Sequence, residues 1–159
     1  MHVRRATPDD ARDVRRVAEL AWHDAHDDIV GADAVDEFLE EYYDPVDLRE
    51  RYRSGDSVTF VVEDDGSVVG YASGVPSGDC YTLGSLYVRP GRQGAGVGSL
   101  LLGHVENVAR AEGFDAVDLV VMADNDDAIG FYEAKGFEHV DDHYDADLEV
   151  DGYVYEKPV

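Results

Sequence analysis

Apolar residues recur at two different periods along this chain, and the switch between them organises it. Val14, Val17, Ala18, Ala21, Trp22 and Ala25 return every three or four positions, which predicts a helix. Thr7-Pro8-Asp9-Asp10 supplies its N-cap, a proline at the first helical position and acids in the first turn. Val3 to Arg5 reads as a short strand before it. A second helix is predicted over Asp33 to Tyr43, with Val35, Phe38, Leu39 and Tyr42 on one face; Pro45 ends it, and a helical piece around Leu48 to Tyr52 follows. From Ser57 the period falls to two. Val58 to Glu63, the Asp65-Gly66 turn and Val68 to Val75 form a hairpin, and Cys80 to Val88 adds a strand. The helical period returns near Gly96 with Val97, Leu100, Leu101, Val105, Val108 and Ala109, and stops at Gly113. Ala116 to Met122 is a Val-rich buried strand, and Asp126 to Lys135 is a short helix closed by Gly136. Phe137 to His143, Leu148 to Val150 and Tyr153 to Lys157 finish the sheet, with Asp151-Gly152 as the expected hairpin turn.

This order predicts one α/β domain over residues 1–159, an antiparallel meander passing into a β-α-β crossover. Charge changes the picture most. Asp and Glu number 36 against 13 Lys and Arg, a net charge of −23. The acids are spread along the whole chain rather than gathered in a tail, which fits a haloadapted surface. At molar salt the Debye length is only ~3 Å, so such charges barely repel one another or an anionic ligand. The same balance argues against nucleic-acid binding. No apolar run approaches the ~18 residues of a membrane span, and the N-terminus lacks a signal-like apolar stretch. A single cysteine, Cys80, leaves no disulfide framework and no CxxC motif, so a cytoplasmic location is expected and Cys80 reads as a small buried apolar residue.

Two stretches carry chemistry. In Val88 to Leu101 a strand runs through Arg92-Gln93-Gly94-Ala95-Gly96-Val97-Gly98-Ser99 into a helix. The first four N–H groups of a helix have no partner inside it, and the macrodipole adds positive charge there, so such a turn suits a phosphate. It is not a P-loop, because Val97 follows Gly96 where a lysine is needed. Nor is it a dinucleotide fingerprint, because Ser99 and Leu101 stand at the third glycine. Alternating glycines exceed what a cap requires and favour close approach of a ligand to the backbone. In the second stretch, Asn125 to Phe137, Tyr132 follows Asn125 by seven residues on a short helix.

Leu86-Tyr87-Val88, Gln93 to Gly98 and Asn125 to Phe137 together closely resemble the GNAT superfamily of acetyl-CoA-dependent N-acetyltransferases. Gln93 to Gly98 matches its (Q/R)xxGx(G/A) motif, and Asn125 to Phe137 its NxxAIxFYxxxGF segment. The resemblance covers essentially the whole chain. It implies a mixed, twisted sheet of six to seven strands flanked by helices, with acetyl-CoA wedged where two parallel strands splay. It further implies that the backbone of Leu86, Tyr87 and Val88 pairs with the pantetheine arm. The amides of Gln93, Gly94, Ala95, Gly96, Val97, Gly98 and Ser99 would hold the pyrophosphate, Asn125 would bond near the arm, and Tyr132 would be the general acid. Arg89 and Arg92 are expected to supply local positive charge.

The general base is where the chain departs from the resemblance. Positions that carry a glutamate in some members match Thr82 and Val120, which take no proton; Asp118 shares strand parity with Val120 and is the tentative base. Trp22, His23, Asp24 and His26 lie where the resemblance puts the acceptor site, and Tyr144, Tyr153 and Tyr155 are further candidates to line it. No metal is expected, since His23 and His26 lack a partner cluster. The expected partner is a small-molecule or peptide amine, and the chain is compatible with a homodimer. A non-catalytic acyl-CoA-binding or sensing domain of the same fold is the competing reading.

Overall fold

A computed structural model describes residues 1–159. Strand β1 (His2–Arg5) leads to a 3-10 turn at Pro8–Asp10 and then to α1 (Ala11–Val30). The predicted cap operates through Asp10, whose carboxylate accepts the Thr7 N–H at 2.7 Å. Arg4 donates to both Asp10 oxygens, at 2.7 and 2.8 Å, tying the strand to the helix start. Gly31, at φ 91°, turns the chain into α2 (Ala32–Tyr42), and α3 (Pro45–Arg53) follows an Asp44 cap that accepts from Val46 N–H.

The meander comprises β2 (Val58–Asp64), β3 (Ser67–Ser77) and β4 (Cys80–Val88). Helix α4 (Val97–Ala111) crosses over to β5 (Ala116–Met122), and α5 (Asp126–Ala134), β6 (Glu138–Asp145) and β7 (Val150–Pro158) complete the chain. The seven strands form one sheet in the order β1-β2-β3-β4-β5-β7-β6, with β4 and β5 parallel and the other pairs antiparallel. Alternation along the strands feeds two cores. Val62, Val69, Leu83, Leu119 and Val121 pack with α4 and α5, whereas Val61, Val68 and Tyr71 pack with α1 to α3.

The C-terminal hairpin differs from expectation. Asp151 and Gly152 lie inside β7, and the turn falls at residues 146–149. There the Asp145 carboxylate accepts from the N–H groups of Asp147 (3.0 Å) and Leu148 (2.9 Å), and Glu149 adopts φ 52°. Gly152 is needed for space: a Cβ there would stand 3.0 Å from the Val121 carbonyl oxygen.

Between β4 and β5 the ladder is only two residue pairs long, Tyr81 with Val117 and Thr82 with Asp118. Beyond them the strands part, although β4 runs on to Val88 and β5 to Met122. The edge of β4 that faces β5 is therefore unpaired past Thr82, and the gap beside it opens into a cleft.

Candidate active site

The cleft has a volume of about 270 Å³ and passes between the splayed strands. Leu83 to Tyr87 form one wall and Leu119 to Met122 the other. Asn125, Ala128 and Tyr132 approach from the helix that follows β5. Trp22, His26 and Phe38 of α1 and α2 lie on the opposite side, joined by His143, Asp145, Leu148, Val150 and Asp151 of the last hairpin.

The glycine loop stands at the β4 end of this arrangement. Gly94 and Gly96 sit at φ 81° and 84°, in the left-handed region, with open space where a Cβ would point. Conformation alone therefore requires glycine at both, without invoking a crowding ligand. The Gln93 side-chain amide donates to the Val88 carbonyl at 3.4 Å and closes the loop. Helix α4 then begins with no side-chain cap and no acid in its first turn, although each of the other α-helices has at least one. In a chain this acidic, that leaves the N–H groups and positive dipole end of α4 free to receive an anion. Arg92 does not stand free beside it as expected: its guanidinium is engaged by Asp64. Arg89 makes no ion pair and borders a small depression with Arg16.

Asn125 caps α5, its side-chain oxygen accepting Ala128 N–H at 3.2 Å, so its amide NH2 group is the part left for a ligand. Tyr132 is 8% exposed and packs edge-on against Phe131 and Phe137, with ring centroids 5.4 and 5.6 Å apart. Burial alone raises its phenol above the ordinary range, so it remains protonated at neutral pH.

The α1–α2 side of the cleft is aromatic. Trp22 stacks on Phe38 with centroids 4.1 Å apart, and Tyr87 lies 5.5 Å from Trp22. His26 is buried; its Nε2 lies 3.3 Å from the Tyr87 hydroxyl, and its Nδ1 has no partner. Desolvation holds its imidazole down to about 4, so it is neutral at pH 7. Trp22 and His26 reach the cleft because residues four apart share a helix face. His23 and Asp24 do not. His23 is clasped on the α1–α2 seam between Asp27 (2.7 Å) and Asp36 (2.9 Å), and Asp24 is exposed.

Asp118 has the predicted parity but the wrong height. It sits at the last position of β5 paired with β4, below the splay, and accepts the Thr82 hydroxyl at 2.5 Å; it does not line the cleft. Tyr144, Tyr153 and Tyr155 also fall outside it. A bulge between His139 and Asp141 sets the β6 register, so His143 and Asp145 point into the cleft and the intervening Tyr144 is exposed. Sequence reading missed His143, whose orientation rests on that bulge. Cys80 is a half-buried thiol rather than an apolar filler. Burial, with its hydrogen bond to Glu156, pushes it up to about 12, which makes it a poor nucleophile.

No cluster of His, Cys, Asp and Glu could hold a metal ion, and no helix is long and apolar enough to cross a membrane. The model of the acetyltransferase (GNAT) family matches residues 15–137. Among solved structures, the PaiA N-acetyltransferase from Thermoplasma acidophilum, in complex with coenzyme A, superposes with a TM-score of 0.90 at 20% identity, covering 99% of this chain and 98% of that one. Ard1 from Thermoplasma volcanium gives 0.73 at 25% identity over 99% and 97% of the two chains. The ribosomal-protein-S18-alanine N-acetyltransferase from Escherichia coli gives 0.74 at 19% identity over 99% and 93%.

Proposed function

The chain belongs to the acetyltransferase (GNAT) family, acyltransferases that use acetyl-CoA, and on that premise we propose that it transfers the acetyl group to the primary amine of a small molecule or a protein N-terminus. The observation that carries this reading is the splay of β4 from β5. It leaves an unpaired strand edge beside a cleft with a buried phenol on one side and an imidazole on the other, and the chain that leaves this edge runs into an uncapped, acid-free helix start. The residues present fit the donor: its pyrophosphate suits the amides of Gln93 to Ser99, and its pantetheine arm suits the free edge of β4 from Leu86 to Val88.

The donor supplies an activated thioester. The neutral amine adds to the carbonyl carbon, the C–N bond forms, and the C–S bond breaks as the tetrahedral centre collapses. Backbone N–H near Val88 stabilises the developing oxyanion. Tyr132 acts as the acid by donating a hydrogen bond to the departing thiolate, which carries away the electron pair of the broken C–S bond. His143, on the acceptor side, takes the proton that the amine sheds. His26 is too weak a base for this, being held down to about 4.

Support for a salt-adapted setting comes from the even distribution of the −23 charge. The test is an acetyl-CoA turnover screen against a panel of amines in high KCl. CoA release stimulated by at least one amine is expected. Acetyl-CoA binding without turnover for any amine would replace the transferase by a sensing domain.

A further inference from the structure

Resting on the acyl-transfer reading, we infer that the acceptor is a primary amine on an apolar body that carries no carboxylate or phosphate. The acceptor half of the cleft is built to favour such a body. Its contact surface comes from Trp22, Phe38, Leu148 and Val150, with the Trp22 and Phe38 rings stacked 4.1 Å apart. Its two carboxylates, Asp145 and Asp151, stand at the hairpin side. None of the 13 Lys and Arg residues lines the cleft. Of the two histidines there, the buried His26 is kept neutral by desolvation, and His143 is the base of the proposed step, a role that requires its neutral form before the amine gives up its proton.

An arriving ammonium meets acids and aromatic faces, both of which attract cations. A free amino acid carries a carboxylate one carbon from its amine, and that group would enter the cleft with Asp145 and Asp151 and no guanidinium to pair with. A carboxylate set beside two others with no cation to pair with is disfavoured. Peptide-like bodies with an amide at that position escape the penalty. The selection therefore acts on charge rather than bulk.

Matched acceptors test this directly: phenethylamine, phenylalaninamide and phenylalanine, compared by initial rates of CoA release and corrected for the fraction of neutral amine. The expected result is a kcat/KM for phenylalanine at least tenfold below those of both others, with the amide separating charge from size. Leu148→Arg, at a half-buried turn residue that lines the cleft, should narrow that gap at least threefold by supplying a counter-charge. Phenylalanine within threefold of the amide, or an unchanged gap in L148R, overturns the inference. Absence of turnover with every amine would remove the acyl-transfer reading instead. In that event, calorimetric binding of the three compounds to the CoA-loaded protein decides the charge rule. Binding of the amide and amine but not of the amino acid upholds it; equal binding, or none by all three, overturns it.

Discussion

Replacing Tyr132 by phenylalanine deletes one oxygen from a ring that the fold otherwise fixes. The edge-on contacts to Phe131 and Phe137, at 5.4 and 5.6 Å, involve the ring and survive the change. No charge or hydrogen bond contributes to the raised pKa of the phenol; burial does so alone, so no internal partner is orphaned when the hydroxyl goes. The loss falls on the step in which negative charge collects on the leaving sulfur. A hydrogen bond to a charged group contributes about 1.5–3 kcal/mol, and each 1.36 kcal/mol is a factor of ten in rate, so kcat should fall roughly 10- to 150-fold. Full proton transfer adds little before the thiolate has formed, because a phenol above 10 is a weaker acid than a thiol near ~8.5. The assay combines initial rates of CoA release with thermal melting and acetyl-CoA binding. Folding stability should stay within about 0.5 kcal/mol of the parent, and acetyl-CoA affinity should be unchanged. A kcat within threefold of the parent would refute the acid role. A parallel loss of binding and rate would instead make Tyr132 a packing residue of the cleft wall.

Four further outcomes follow from named contacts. Gly96→Ala places a Cβ in the left-handed region at φ 84°, which costs about 1–2 kcal/mol of stability and should raise the KM for acetyl-CoA with little change in kcat; an unchanged melting temperature and KM would count against the loop assignment. The His23 pKa is raised, first by Asp27 and then by Asp36, so its contribution is present below the ordinary 6.5 and is lost as pH rises through the higher folded value; melting scans should show this slope in the parent and not in His23→Gln, and identical slopes would refute the clasp. Raising KCl from 0.1 to 2 M should raise the melting temperature, because a net −23 is screened as the Debye length contracts from ~10 Å to below ~3 Å; a flat response would remove the salt-adapted reading. Asp118→Asn should keep kcat within threefold, since this carboxylate answers Thr82 outside the cleft; a loss beyond a hundredfold would reinstate Asp118 as the base.

The parts of the fold set by local chemistry were legible in the sequence. Apolar periodicity found α4 and β5, and the glycine run marked the helix start because left-handed φ values demand glycine there. The family was legible as two motifs with fixed spacing. What escaped depends on long-range geometry. Asp151-Gly152 carries a strong local turn signal, but pairing with Met122 on one side and with His143 and Tyr144 on the other makes it a strand position, and the nearby Val121 carbonyl accounts for the glycine. Parity relates Asp118 to Val120 along β5, yet which of them stands in the splay depends on where the β4–β5 ladder ends, and that is decided by the pairing of two distant strands. His143 was invisible for a related reason: a single bulge in β6 determines which side chains of that strand enter the cleft.

The short β4–β5 ladder has a mechanical meaning as well. Two residue pairs are the only backbone joint between a four-stranded plate, β1 to β4, and a three-stranded one, β5 to β7. The sheet carries a built-in seam, stitched at one end and held elsewhere by the side chains of α4 packed across it. Amides of β4 beyond Thr82 that face the seam should exchange with deuterium well ahead of those paired to β3. A ligand arm laid along that edge would act as an eighth strand, closing the zipper and slowing exchange across both plates. The protein's resistance to opening would then track the supply of its own acyl donor, rising with RT ln(1 + [L]/Kd).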